Sequence, residues 1–189
     1  GNALEVAVAA RFLTGEAIDG RLYDVTVALG GEVLALAGLA ADADAGAERL
    51  REALASGAAA ERFDRMVAAL GGPAGFLSDW RRHLAAAPVV VEVPAAEDGF
   101  VTGIDTRGLG YAVIELGGGR RKASDAIDPA VGLDALLGLG AAVDRGDPLA
   151  LVHARDAATA EHAAKRVAAA YRIGPAAPEP LPLIVERVG

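Results

Sequence analysis

Not one cysteine occurs among the 189 residues, which removes disulfides, thiolate zinc sites and cysteine nucleophiles together and fits a reducing compartment. Serine is almost as scarce. Ser56, Ser78 and Ser124 are the whole supply, and none lies in a G-x-S-x-G turn. Neither a P-loop nor a strand-led G-x-G-x-x-G occurs, so serine nucleophiles and the common nucleotide cradles have no footing. Positive charge is in deficit, with 18 Lys plus Arg against 26 Asp plus Glu for a net −8. That sign opposes the phosphate contacts that dominate nucleic-acid affinity, and no nucleic-acid partner is expected. No apolar run nears the roughly 20 residues of a membrane-spanning helix, and the opening GNALEVAVAARFL lacks the basic start and cleavage site of a signal peptide. The expectation is a globular cytoplasmic protein with no membrane partner. His83, His153 and His162 lie far apart without paired-ligand spacing, so no metal or cofactor is expected and the three read as surface or satisfied residues.

What is present is apolar residue, 53% of the chain, enough for the core of one large domain or two small ones. Before Pro88 the period is helical and alanine-rich. Leu4, Val8 and Phe12 begin it directly, as though text before Gly1 were missing. Leu22, Val25, Leu29, Val33 and Leu36 recur at spacings of three and four, which predicts a core helix over residues 21–39 with that face buried. Helices are expected over 43–55, ended by Ser56-Gly57, and over 58–70, stopped by Gly71-Gly72. Pro73 suits the first turn of a further helix carrying Phe76, Leu77, Trp80 and Leu84. Carboxylates at Glu52, Glu61 and Asp64 fall on polar helical faces with Arg51, Arg62 and Arg65 as pairing partners.

After Pro88 the pattern turns to β. VVVEVPA, GFVTGID and GYAVIELG read as antiparallel strands, with turns at Glu97-Asp98-Gly99 and Arg107-Gly108-Leu109-Gly110. Asp128-Pro129 predicts a capped short helix through Leu133, Leu136 and Leu137. A turn at Arg145-Gly146-Asp147 leads to a strand. Asp156 caps a long helix ending near Arg172, its packing marked by Val167 and Tyr171, and LIVERV reads as a last strand.

One stretch points to chemistry. IELGGGRRKASDAIDPAVG sets Gly117, Gly118 and Gly119 against Arg120, Arg121 and Lys122 in an otherwise acidic chain. Successive glycine N–H groups can form an anion nest, and arginines bind phosphate bidentately. The plainer alternative is a glycine turn with solvated basic residues. Asp125 and Asp128 read as turn and cap rather than an acid–base pair.

GNALEV at 1–6, RLYDVTVALGGEVL at 21–34, SGAAAERFDRMVAALGGP at 56–73 and FVTGIDTRGLGYAVIELGGGRRKASDAIDPAVG at 100–132 together resemble the bacterial thymidine phosphorylases, with VDRGDPLALVHARD continuing the match. The resemblance covers nearly the whole chain but only the C-terminal portion of a family roughly twice as long. It implies an α/β (α+β) architecture. Residues 1–87 look like the closing helices of the nucleoside-phosphorylase α/β domain, and 88–189 like its C-terminal domain, an α/β-hammerhead of barrel-sandwich type. The implied reaction converts thymidine and phosphate to thymine and 2-deoxyribose 1-phosphate, so phosphate and a pyrimidine nucleoside are the implied partners. The family's phosphate- and pyrimidine-holding residues precede the position of Gly1, so no catalytic residue carries over and the 189-residue chain alone is expected to be inactive. The missing N-terminal half becomes an implied partner, and helices deprived of it are expected to expose apolar faces and either self-associate or fray before Ala43, while the β-rich part after Val89 stays folded. Where some relatives bind potassium through a glutamate just after GNALEV, this chain has Val8, which speaks against such a site. Gly118, Gly119, Arg120 and Arg121 look like a loop approaching the family's interdomain cleft, where they would serve closure rather than catalysis. A rival reading is a non-catalytic barrel-sandwich binding or carrier module, which needs a lysine at an exposed hairpin tip; Lys122 and Lys165 are the only lysines.

Overall fold

The structure, a computed structural model, describes residues 3–186. Its order is mixed, with helices first and two small antiparallel sheets with helices after them. Two compact units result, one of residues 7–83 with 181–186 and the other of residues 3–6 with 84–180.

The first unit is helical. Helices α1 (Ala3–Thr14), α2 (Gly20–Leu36), α3 (Ala43–Ala55) and α4 (Ala58–Ala69) lie where their periods predict. Asp19 and Asp42 cap α2 and α3, accepting hydrogen bonds from Leu22 N at 2.7 Å and Ala45 N at 2.8 Å, the acceptor role N-cap carboxylates fill. The buried face of α2 is not the expected one. Val27 and Gly31 are buried, while Leu22, Leu29, Val33 and Leu36 are exposed. The reason is a close helix crossing: a Cβ on Gly31 would strike the Ala43 carbonyl oxygen and sit 2.9 Å from Ala47 N, and one on Gly46 would sit 2.5 Å from Gly31 O. Glycine permits that backbone approach, and it outranks the leucine stripe as the packed face.

The single helix expected after Pro73 is instead a 3-10 turn, Phe76–Ser78, followed by a one-turn helix α5, Trp80–His83. Asp64 of α4 accepts from Leu77 N at 2.8 Å, drawing the backbone out of a continuous helical path while Phe76, Leu77 and Trp80 are buried. Residues 183–186 form no strand; the rest of the expected last strand lies outside the described residues.

In the second unit β1 (Val89–Pro94) and β2 (Gly99–Ile104) are adjacent in sequence but not paired. The segment expected as a third strand is helix α6, Thr106–Leu116. Its β-branched Val113 and Ile114 suggested a strand. Asp105 nevertheless caps a helix, accepting from Gly108 N at 3.0 Å, and Leu109, Ala112 and Leu116 fall on the face packed into the core, at the spacing of a helical stripe. The expected helix after Asp128 is likewise absent: β3 (Gly132–Asp134) pairs there with β5. Strand β4 (Ala142–Val143), strand β5 (Pro148–Ala154), helix α7 (Ala157–Ala170) and an unanticipated β6 (Tyr171–Gly174) complete the unit.

One sheet has the order β1-β5-β3 and the other β4-β2-β6, antiparallel throughout. Helix α7 buries Ala160, Ala163, Val167 and Ala170, a stripe at spacings of three and four. It meets Val93, Leu149 and Val152 of the first sheet and Val101 and Val143 of the second in one core. Among the described residues no helix is long and apolar enough to cross a membrane.

Candidate functional site

The glycine–arginine stretch follows α6 directly, and the helix end shapes it. Gly117 takes the left-handed conformation, φ 94°, with its N–H on Ile114 O at 3.1 Å and that of Gly118 on Val113 O at 2.9 Å. These bonds satisfy carbonyls left open at a helix C-terminus, and a positive φ there favours glycine. Further on, Asp125 Oδ2 accepts from both Arg121 N and Lys122 N at 3.1 Å. The loop's own carboxylate therefore fills the anion-accepting turn at those two amides. Asp128 closes the loop by donating its N–H to Gly117 O at 2.9 Å.

The loop base is fixed electrostatically. Arg155 donates to Asp128 through Nε at 2.5 Å and through a terminal nitrogen at 2.6 Å, a forked pairing that holds geometry as well as charge. The Arg155 hydrogen bond, helped by Ala130 N, lowers the Asp128 pKa, and the same bond raises that of Arg155. Asp128 is thus the anchor of the loop, not the cap of a helix.

Beside it, Glu115 in the last turn of α6 collects three basic groups. Arg166 lies 3.1 Å from its Oε1, Arg121 at 3.9 Å from the same oxygen, and His162 Nε2 at 3.5 Å from Oε2. Arg121 stands at the outer limit of ion-pair distance and stays largely exposed. Arg120 is exposed too, and among the described residues neither its guanidinium nor the amides of Gly119 and Arg120 meet an acceptor. A side chain at Gly119 would crowd Ile114 Cγ1 at 2.7 Å. Of the four residues singled out from sequence, Gly118 closes the helix and Arg121 lies near Glu115, leaving Gly119 and Arg120 with groups that meet no acceptor among the described residues. Glu115, Asp125, Asp128, Arg155 and Arg166, which build the loop's support, went unremarked or were assigned other roles. The capping signal of Asp105 and the spacing of Leu109, Ala112 and Leu116 mark α6 as a helix, and Gly117 marks its end.

Neither lysine stands at a hairpin tip. Lys165 is in α7, paired with Glu161 at 2.7 Å, and Lys122 follows α6 in the loop. No group of three or more His, Asp or Glu side chains able to hold a metal occurs among the described residues.

The histidines separate. His83 meets Asp79 at 2.9 Å and His162 meets Glu115, but His153 Nε2 is buried without a hydrogen bond, contrary to the expectation of a surface or satisfied residue. It stands on β5 between Val90 and Gly132. Burial lowers its pKa, opposed by the charge of Asp134. A histidine whose folded pKa lies below its unfolded value of about 6.5 leaves stability intact above that pH and withdraws it as the pH falls, because the unfolded chain then binds the extra proton. His153→Leu is therefore expected to flatten the loss of stability between about pH 7 and about pH 5, by at most about 1.4 kcal/mol per pH unit. Urea unfolding of both proteins across that range checks it; parallel curves would contradict it.

Residues 100–174 match the family model described as the pyrimidine nucleoside phosphorylase C-terminal domain. Thymidine phosphorylase of Burkholderia cenocepacia is 54% identical over 188 residues, covering 100% of this chain and 43% of its own length. The Burkholderia lata protein of the same name is 55% identical over 190 residues and that of Mesorhizobium japonicum 51% over 188, with the same coverage. The chain thus spans less than half the length of these relatives.

Proposed function

Because the chain is homologous along its whole length to the C-terminal portion of the thymidine phosphorylases, we propose that it forms the C-terminal part of an enzyme that converts thymidine and phosphate reversibly to thymine and 2-deoxyribose 1-phosphate. The observation that carries this reading is identity of 54% maintained over 188 residues, too extensive for a shared folding motif alone. Within it, residues 1–87 are the closing helices of the phosphorylase α/β domain and residues 88–189 the C-terminal domain. Phosphate and pyrimidine are held by residues of the N-terminal half, which is the partner this chain needs, so the 189 residues alone do not catalyse phosphorolysis. The direct test is thymine release in phosphate buffer by the chain with and without the N-terminal portion of the Burkholderia cenocepacia relative.

The loop's contribution is closure. Arg120, exposed and without an acceptor among the described residues, is the group placed to reach an anion or an opposing domain, whereas Arg121 is engaged by Glu115. In an enzyme made complete by the N-terminal half, Arg120→Ala is expected to lower kcat/KM for thymidine by a factor of about 10, the cost of one closed-state contact. Arg121→Ala is expected to lower it less. In the 189-residue chain both variants should unfold within about 0.5 kcal/mol of the parent, as surface substitutions do. Wild-type kinetics in the Arg120 variant would leave the loop a solvated turn.

A further inference from the structure

We propose that Arg155 is a positioning residue for the phosphorolysis reaction: through its two-pronged bond to Asp128 it holds closed the loop that carries Gly119 and Arg120. The inference rests on the reading of that loop as a closure element and adds to it a residue that acts through another side chain. The two ends of the loop meet at one hydrogen bond, from Asp128 N to Gly117 O at 2.9 Å. Gly117, at φ 94°, is the pliable end, since glycine has the widest choice of backbone conformation. Between the ends, Asp125 accepts from Arg121 N and Lys122 N and donates its own N–H to Lys122 O at 3.0 Å. Those bonds tie the loop to itself and not to the body. The approach of Arg121 to Glu115, 3.9 Å with the arginine side chain 70% exposed, adds little, as exposed ion pairs do.

Asp128 is where the loop is rooted. Its Oδ1 accepts from Ala130 N at 3.0 Å and from a terminal nitrogen of Arg155 at 2.6 Å, and its Oδ2 accepts from Arg155 Nε at 2.5 Å. Ala130 and Val131 are buried, so the chain beyond Asp128 is fixed and the carboxylate is gripped from two sides. Arg155 is itself well based. Ala154, the last residue of β5, is fully buried, and Asp156 caps α7 by accepting from Thr159 N at 2.8 Å. The guanidinium is therefore presented from the junction of a strand and a helix, the kind of rigid framework on which a site is held most precisely. A fork onto both carboxylate oxygens sets the rotation of Asp128 as well as its position, whereas an ammonium group would supply charge without orientation. Loss of the fork frees the carboxylate to rotate, and the bond from Asp128 N to Gly117 O opens more often. The loop then samples many arrangements of which only a fraction place Arg120 for closure, and the contact is weakened by that fraction. Because Arg155 acts through Arg120, its removal costs no more than the factor of about 10 expected for Arg120→Ala.

In the 189-residue chain, Arg155→Gln is expected to speed hydrogen exchange at the Asp128 amide at least about 5-fold while the amides paired between β1 and β5 keep their parental protection. In the enzyme completed by the N-terminal portion of the Burkholderia cenocepacia relative, the same substitution should lower kcat/KM for thymidine by about 3- to 10-fold, and should lower it no further where Arg120 is already alanine. That lack of additivity separates positioning from a general loss of folded enzyme, which would multiply with Arg120→Ala. Arg155→Lys keeps the charge and the aliphatic stem and decides the matter if the glutamine variant fails to fold; lacking a fork, it is expected to show the same two effects. Parental exchange at Asp128 in these variants, parental kinetics in Arg155→Lys, or losses at Arg155 and Arg120 that multiply independently would each overturn the inference and leave phosphorolysis standing. If the parent pair releases no thymine, the phosphorolysis reading falls and the role assigned to Arg155 falls with it.

Discussion

Gly31→Ala and Gly30→Ala are expected to change stability in opposite directions although the residues are neighbours in one helix. Both substitutions gain the roughly 1 kcal/mol by which alanine exceeds glycine in a helix interior. At Gly31 the new methyl meets backbone on the facing helix, the Ala43 carbonyl oxygen and Ala47 N at 2.9 Å. No rotamer relieves a backbone clash, so α2 and α3 must separate along their crossing, and overpacking of this kind costs about 1–3 kcal/mol. Gly31→Val should cost more, about 3 kcal/mol or beyond, enough to threaten a helical unit of marginal stability. Gly46→Ala should behave like Gly31→Ala, because its Cβ would meet Gly31 O at 2.5 Å and Gly31 Cα at 2.9 Å. At Gly30 the obstacle is only the tip of the Leu50 side chain, which can rotate aside, so Gly30→Ala should be neutral or stabilising by up to about 1 kcal/mol. Urea unfolding followed by far-UV circular dichroism distinguishes them. Equal effects at the two positions would mean that the crossing is looser than its geometry indicates.

That crossing also shows where sequence reading reached its limit. Capping and period locate α2, α3, α4 and α7 to within a few residues, because those signals are local. Which face of α2 is buried is not local: five large apolar residues outweigh Val27 and Gly31 in any count of hydrophobicity, yet the side without bulk admits the partner helix. The β half failed differently. Tyr111, Val113 and Ile114 favour strand by propensity, and the contest was decided for helix by Asp105 at one end, Gly117 at the other and a stripe facing α7. Asp128 followed by proline is a sound helix-start signal, but its carboxylate is drawn by Arg155, 27 residues later, a pairing that no local pattern carries. In the candidate loop, sequence identified the glycines and arginines. Their division into engaged and open groups depends on Asp125 and Glu115, which became supports only once α6 was a helix.

The 189-residue chain by itself is expected to release thymine from thymidine no faster than phosphate buffer does, and the physical reason lies in what its loop offers. Enzymatic rate enhancements correspond to about 8–23 kcal/mol of transition-state stabilisation. Phosphorolysis draws that from phosphate held in attacking position and from charges preorganised around a sugar that becomes cationic, with water excluded so that the effective dielectric is low. Here the basic side chains of the loop, Arg120, Arg121 and Lys122, are exposed, so solvent screens them. The loop's carboxylates are already engaged, Asp125 by the amides of Arg121 and Lys122 and Asp128 by Arg155. Such a loop offers too few fixed groups to constitute a site by itself. Co-expression with the N-terminal portion of the Burkholderia cenocepacia relative is therefore expected to raise thymine formation at least about 1,000-fold above the chain alone, the scale at which positioning effects operate. Measurement in a host lacking its own phosphorylase removes the background. Phosphate-dependent turnover by the isolated chain would place phosphate and pyrimidine contacts within these 189 residues and overturn the division of labour proposed above. No turnover by a folded, co-purifying pair would instead overturn the assignment of phosphorolysis itself.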